Sequence, residues 1–177
     1  GSLERHIAFN NNDVPGMMTA NAAKHYLNRY GVLSGQEIVI STNNDSVYTT
    51  ANELTKAGSK VHIIDSRKTI SQNIIESTKR SGIEVSLGTA PFNINGRKKI
   101  DSLDVAEHDG QKYNKVNQIK CDLVLVSGGW SPAVHLLSHR GVRPIWDPVN
   151  LCFLPNETQE PITVTGSASG IWNTDDC

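Results

Sequence analysis

Glu37 to Arg67 reads EIVISTNNDSVYTTANELTKAGSKVHIIDSR, and the order of elements in this stretch decides the fold. Ile38, Val39 and Ile40 form an apolar run without polar alternation, which predicts a parallel strand buried on both faces. Val47, Ala51 and Leu54 then recur at helical spacing, and Gly58 stands where a helix would stop. Val61, Ile63 and Ile64 make a second strand that ends at Asp65. Strand, turn, helix and strand in this order form a right-handed βαβ unit.

A βαβ unit binds a dinucleotide when its first turn carries G-x-G-x-x-G and an acidic residue follows about 20 positions later. Asp65 supplies the acidic residue, but Thr42, Asn44 and Val47 stand where the glycines belong. Asn44 tolerates a left-handed backbone, so the turn itself survives. The β-branched Thr42 and Val47 crowd the phosphate position and push the helix outward. The unit is Rossmann-like with a degenerate pocket, whose candidate contacts are Thr42, Asn43, Asn44, Asp45 and Asp65. It reads as a relic or weakened site, with binding in an unusual geometry as the other reading. Asp65 in turn either accepts hydrogen bonds from a ribose diol or caps a turn toward Ser66 and Arg67.

Working outward, His6 to Phe9 is a strand candidate, and Thr19 to Tyr30 a helix stopped by Gly31. After Asp65 come a helix over about Ile70 to Lys79 and a third parallel strand from Ile83 to Leu87, giving β-α-β-α-β. The period then changes to two. Ala90 to Ile94, Ile100 to Ala106 and Tyr113 to Ile119 predict a three-stranded antiparallel meander. Asp122 to Ser127 returns to the fully buried type and rejoins the parallel sheet, ending at Gly128-Gly129-Trp130. A short helix is expected over Ala133 to Ser138 and a hairpin around Asp147-Pro148. A last strand is expected over Ile162 to Thr165, before the loop Gly166 to Gly170.

With 177 residues, 37% hydrophobic and 20% charged, the chain has the makeup of an ordinary globular protein with one substantial core or two small ones. A net charge of -1 gives no reason to expect nucleic acid or an anionic membrane as partner. No apolar run approaches the ~18 residues of a membrane span. The 3 cysteines, Cys121, Cys152 and Cys177, lack C-x-x-C spacing, which fits a reducing, cytoplasmic setting. Gly1-Ser2 reads as a tag-cleavage scar, and Asn173 to Asp176 would open a helix just where the sequence stops. The expectation is a piece of a longer polypeptide. His135 and His139, spaced i and i+4, read as a helix-surface pair rather than metal ligands, and Cys121 as an inert core thiol.

The succession of βαβαβ, meander, returning strand with a Gly-rich turn, and late strand before a small-residue loop resembles the two-dinucleotide-binding-domain flavoproteins of the pyridine nucleotide-disulfide reductase type. Leu123 to Pro132, LVLVSGGWSP, is similar to that group's connecting motif A-T-G-x-x-P. Ile162 to Gly170 is similar to its late G-D-x-A segment, with Ser167 in place of the acid, a departure that argues against ordinary FAD binding. Within the group, four stretches resemble the alpha subunits of heterotetrameric sarcosine oxidases. They are Asn12 to Met18, Tyr26 to Gly31, Thr42 to Ser46 with Tyr48, and Ser127 to Trp130 followed by Pro132 to Leu136.

That resemblance implies oxidative demethylation of sarcosine to glycine by the complete enzyme, yielding hydrogen peroxide and 5,10-methylenetetrahydrofolate. It implies tightly held NAD in the full-length subunit, FAD and FMN in the full enzyme, tetrahydrofolate in a domain absent here, and no cofactor bound by this piece. It places Gly166, Ser167, Ala168, Trp172 and Thr174 along the cofactor, with no catalytic residue here. Residues 1–35 and 131–177 would belong to the flanking nucleotide-binding domain, and residues 36–130 to the NAD(P)-binding-like domain. The implied partners are the remaining domains of the subunit and the other subunits of the oxidase. A free-standing NAD(P)-binding module and a protein-interaction module stand as the alternatives.

Overall fold

The computed structural model describes residues 1–108, 113–159 and 161–172. It contains two compact units, one of His6–Gly129 and one of Gly1–Arg5 with the residues from Trp130 onward. The chain begins in the second with β1 (Ser2–Glu4). In the first, β2 (Met17–Thr19) runs into α1 (Ala20–Tyr30). The hydroxyl of Thr19 accepts from the backbone N–H of Ala22, and Gly31 closes the helix in the left-handed conformation at φ 63°.

β3 (Glu37–Thr42), α2 (Ser46–Lys56), β4 (Lys60–Asp65), α3 (Gln72–Arg80) and β5 (Glu84–Leu87) make the expected β-α-β-α-β run. The helix expected from Ile70 starts two residues later because the side chain of Ser71 caps it, accepting from the N–H of Ile74. β6 (Thr89–Asn95), β7 (Ser102–His108) and β8 (Tyr113–Lys120) form the antiparallel meander as a sheet of their own. β9 (Leu123–Ser127) then inserts between β2 and β3, so the five parallel strands lie in the order β2-β9-β3-β4-β5.

The two faces of this sheet are covered by different layers, which is why its strands lack polar alternation. Ile38, Ile40, Val61, Ile63, Leu123 and Leu125 pack on the helical side with Ala23, Val47, Ala51 and Leu54. Val39, Ile64, Val124 and Val126 face the other way, onto Ile94, Ile100, Leu103 and Val105 of the meander side. Each Val, Leu or Ile among them contributes about 1.5–3 kcal/mol on burial. Cys121 joins the meander-side core, and burial pushes its thiol up to about 12.

In the second unit β1 pairs antiparallel with β10 (Trp130–Pro132). The helix expected over Ala133 to Ser138 is the shorter α4 (His135–His139). β11 (Ile145–Asp147) and β12 (Cys152–Leu154) form the expected hairpin, with the rings of Trp146 and Phe153 edge-on at 5.1 Å.

Two expectations are corrected. His6 to Phe9 is not a strand: Ile7 and Phe9 pack on the meander-side core, and the backbone of Asn10 bonds to β6, donating to the Phe92 carbonyl and accepting from the N–H of Ile94. Ile162 to Thr165 is irregular and largely exposed, since no strand among the described residues pairs with it. The larger compact unit begins at His6. Residues 6–35 pack with residues 36–129, because β2 pairs with β9 and Ala20 and Ala23 enter the helical-side core. Among the described residues no helix is long and apolar enough to cross a membrane.

Candidate functional site at the sheet edge and the late loop

Strand register brings Thr42, Asp65 and Ser127 side by side at the C-terminal edge of the parallel sheet, Thr42 pairing with Asp65 on one side and Ser127 on the other. Open α/β sheets bind ligands in the crevice outside this edge, where the strand order reverses. Here the reversal lies between β3 and β9.

The Thr42 hydroxyl accepts from the backbone N–H of Asn44 at 3.1 Å and shares its proton between the carbonyls of Asn44 and Ser127, at 3.1 and 3.3 Å. The side chain of Asn44 reaches across the crevice. Its Nδ2 donates to the Ser127 carbonyl at 3.0 Å and lies 3.2 Å from both the Ser127 Oγ and the Asn43 Oδ1. Its Oδ1 accepts from the backbone N–H of Ser46 at 3.1 Å and from the Ser46 hydroxyl at 2.6 Å. These partners use both donors and both lone pairs of the amide. Asn44 thereby satisfies an unpaired N–H at the start of α2, where Asp45 makes no side-chain cap.

Asp65 is fully buried. One carboxylate oxygen accepts from the backbone N–H and Nε of Arg67 at 2.9 and 3.0 Å, the geometry of the capping reading. The other accepts from the Tyr48 hydroxyl at 2.9 Å and from Arg67 Nη2 at 2.8 Å. Arg67 Nη2 also meets Asp45 Oδ1 at 2.7 Å, so the guanidinium spans the start of α2 and the end of β4. Its hydrogen bonds to Asp65 hold it protonated beyond its ordinary range. Burial, reinforced by the Asp65 charge, raises the Tyr48 phenol above its usual value. Sequence reading named Asp65 and Asp45 but not Tyr48 as their companion. The α2 periodicity carried a signal, since Tyr48 follows Val47 onto the buried side.

In the other unit, Gly166–Ser169 form a 3-10 turn. The Ser169 hydroxyl donates to the Gly166 carbonyl at 2.8 Å, and Ser167 and Ala168 are half-buried. Gly170 has φ 83°, a left-handed conformation that favours glycine, and an added Cβ would come within 2.5 Å of Leu154 Cδ2. The Trp172 indole N–H donates to Asn150 Oδ1 at 3.3 Å. Thr174 lies outside the described residues, as does the helix expected from Asn173. His135 and His139 are the ends of α4, and among the described residues no His, Cys, Asp and Glu group is arranged to hold a metal.

At the opposite, N-terminal edge of the sheet lies a hollow of about 320 Å³ lined by Glu37, Val39, Lys60, His62, Glu84 and Lys120. His62 Nε2 lies 2.8 Å from the Ser86 Oγ, and Nδ1 lies 3.4 Å from Glu84 Oε2. Burial lowers the His62 pKa despite the opposing Glu84 carboxylate, and Lys60 adds to the lowering. The unfolded chain therefore takes up this proton first on acidification. The His62 contribution to stability is complete above about pH 6.5 and is lost as pH falls toward the native value. Urea midpoints measured from about pH 7 to about pH 5.5 should fall, and His62→Gln should flatten that slope. An identical slope in the variant would assign the effect elsewhere.

Residues 48–145 match the family model described as pyridine nucleotide-disulphide oxidoreductase, beginning just after the glycine-free turn. The chain is 33% identical to sarcosine oxidase subunit alpha of Corynebacterium sp. (strain P-1), over 98% of this chain and 18% of that protein. It is 36% identical to the same subunit of Rhizobium meliloti (strain 1021), over 96% of this chain and 16% of that one. The chain thus spans less than a fifth of the length of these relatives. The crystal structure of T. acidophilum thioredoxin reductase shares the fold at a TM-score of 0.68 and 15% identity, covering 96% of this chain and 58% of that one.

Proposed function

The chain belongs to the pyridine nucleotide-disulphide oxidoreductase family, and on that premise we propose that it is a scaffold and cofactor-lining part of a sarcosine oxidase alpha subunit. The observation that carries this reading is identity of 33% and 36% across 98% and 96% of the chain. In the complete enzyme the reaction would be oxidative demethylation of sarcosine to glycine, with hydrogen peroxide and 5,10-methylenetetrahydrofolate as products. FAD and FMN, a tightly held NAD and tetrahydrofolate would serve it from elsewhere in the assembly. This piece contributes no catalytic group.

The domain plan proposed is an NAD(P)-binding-like domain inserted into a flanking nucleotide-binding domain. Pairing of β1 with β10, two strands of the smaller unit that precede and follow the larger one in sequence, supports an insertion and favours Arg5 over residue 35 as the end of the first flanking segment. The flanking unit leaves Leu136, Val149, Trp146 and Phe153 exposed. That suits a unit that packs against the remainder of its own subunit. Gly166, Ser167, Ala168, Trp172 and Thr174 would line the NAD there, with small residues allowing close backbone approach. The same exposed side chains keep an interaction module as the second reading.

The test has two arms. The chain by itself, supplied with FAD, FMN and NAD, should form no sarcosine-dependent peroxide, and turnover of ~1 per second or more would sink the scaffold reading. In the full-length subunit assembled with its partner subunits, Ala168→Trp should reduce the NAD retained on purification. Unchanged NAD content with the assembly intact would remove the loop from the cofactor.

A further inference from the structure

We infer that the crevice at the C-terminal edge of the parallel sheet is closed by the chain's own side chains, so that Asn44 and Asp65 are structural anchors and not dinucleotide contacts. The inference rests on family membership and refines the scaffold reading; it does not depend on sarcosine as substrate. A dinucleotide in this architecture needs three things: backbone open to the pyrophosphate at the second glycine position, free amides at the helix start, and a carboxylate free to receive a ribose diol. Each is taken up here.

At the second glycine position Asn44 lies across the crevice with its amide on the Ser127 carbonyl. The Ser46 amide at the start of α2 already donates to Asn44 Oδ1. Asp65 is fully buried and accepts from Tyr48 Oη and from the N, Nε and Nη2 of Arg67. A carboxylate has about four acceptor sites, so none is left for a diol. Arg67 is itself held from the far side by Asp45, so releasing Asp65 would also unseat the pair that ties α2 to β4. Thr42, where the first glycine would stand, is bonded to the same Ser127 carbonyl. These residues form two bonded groups in place of a ligand, one around the Ser127 carbonyl and one around Asp65, and the pyridine nucleotide does not fit the residues present.

The chain as it stands should be titrated with NAD, NADH, NADP and NADPH by calorimetry, with backbone amide shifts followed by NMR. The expected result is no dissociation constant below about 1 mM and no shift at Asn44, Ser46, Arg67 or Ser127. Micromolar binding with shifts at those amides would overturn the inference. Binding with shifts confined to Ser167 and Ala168 would support closure while assigning the nucleotide to the late loop. A second measurement probes the anchor directly. Asn44→Ala should speed hydrogen exchange of the Ser46 amide at least about tenfold while leaving amides of the meander unchanged. An unaltered Ser46 rate in a folded variant would overturn the anchoring role. Neither readout involves sarcosine, so failure here is distinguishable from failure of the oxidase reading.

Discussion

Asp65→Ala should lower stability by about 3–5 kcal/mol, the usual cost of removing one partner from a buried ion pair. For a chain of this size that corresponds to a thermal midpoint roughly 10 °C lower. The Tyr48 hydroxyl loses its acceptor in a buried position, and Arg67 loses the carboxylate that holds both its backbone and its side chain. Arg67 keeps Asp45, and its side chain is 31% exposed, which places the expected loss at the lower end of the range. Tyr48→Phe removes a single hydrogen bond to a charged acceptor and should cost about 1.5–3 kcal/mol. Denaturant unfolding of both variants gives the comparison. If Asp65→Ala costs less than about 1 kcal/mol, the carboxylate is not an anchor, and a ligand role for it returns.

Leu125→Ala is expected to be of similar severity for a different reason. Leu125 is fully buried on β9, between Met18 of β2 and Ile40 of β3 in the strand register, and belongs to the core on the helical side. Truncation removes the transfer energy of the lost methyl groups and leaves a cavity that strands bonded on both sides cannot close. About 2–5 kcal/mol is expected. Leu136→Ala, at a side chain 82% exposed, should stay within about 0.5 kcal/mol in the same chain. A comparable loss at both positions would contradict the placement of β9 inside the sheet.

Much of the architecture was legible from local pattern. Ile38 to Ile40, Ile63 with Ile64, and Leu123 to Val126 are apolar and buried on consecutive residues, and only a strand covered on both faces needs that. Thr19 and Gly31 bracket α1 by their own chemistry, one as a side-chain acceptor and the other by its left-handed backbone. The change to period two after Leu87 marked the meander, because Ile94, Leu103, Val105 and Ile119 turn toward the core while their neighbours do not. His6 to Phe9 and Ile162 to Thr165 misled for a common reason. Apolar composition reports a tendency to bury, whereas a strand also needs to pair with a neighbouring edge, and among the described residues neither segment forms a strand ladder.

The candidate site divides along the same line. Residue types and spacing alone determined that a βαβ turn exists, that it has lost its glycines, and that an acid stands at the end of the second strand. Whether that acid is free was decided by tertiary structure, because its lone pairs are filled by Tyr48, 17 positions away, and by Arg67, 2 away. Asn44 could equally have pointed to solvent. It points inward because β9 arrives beside β3 from more than 80 residues downstream and presents the Ser127 carbonyl. Hydrogen-bond capacity is written in a residue's chemistry, but which partner uses it depends on strand order, and strand order is a property of the folded sheet.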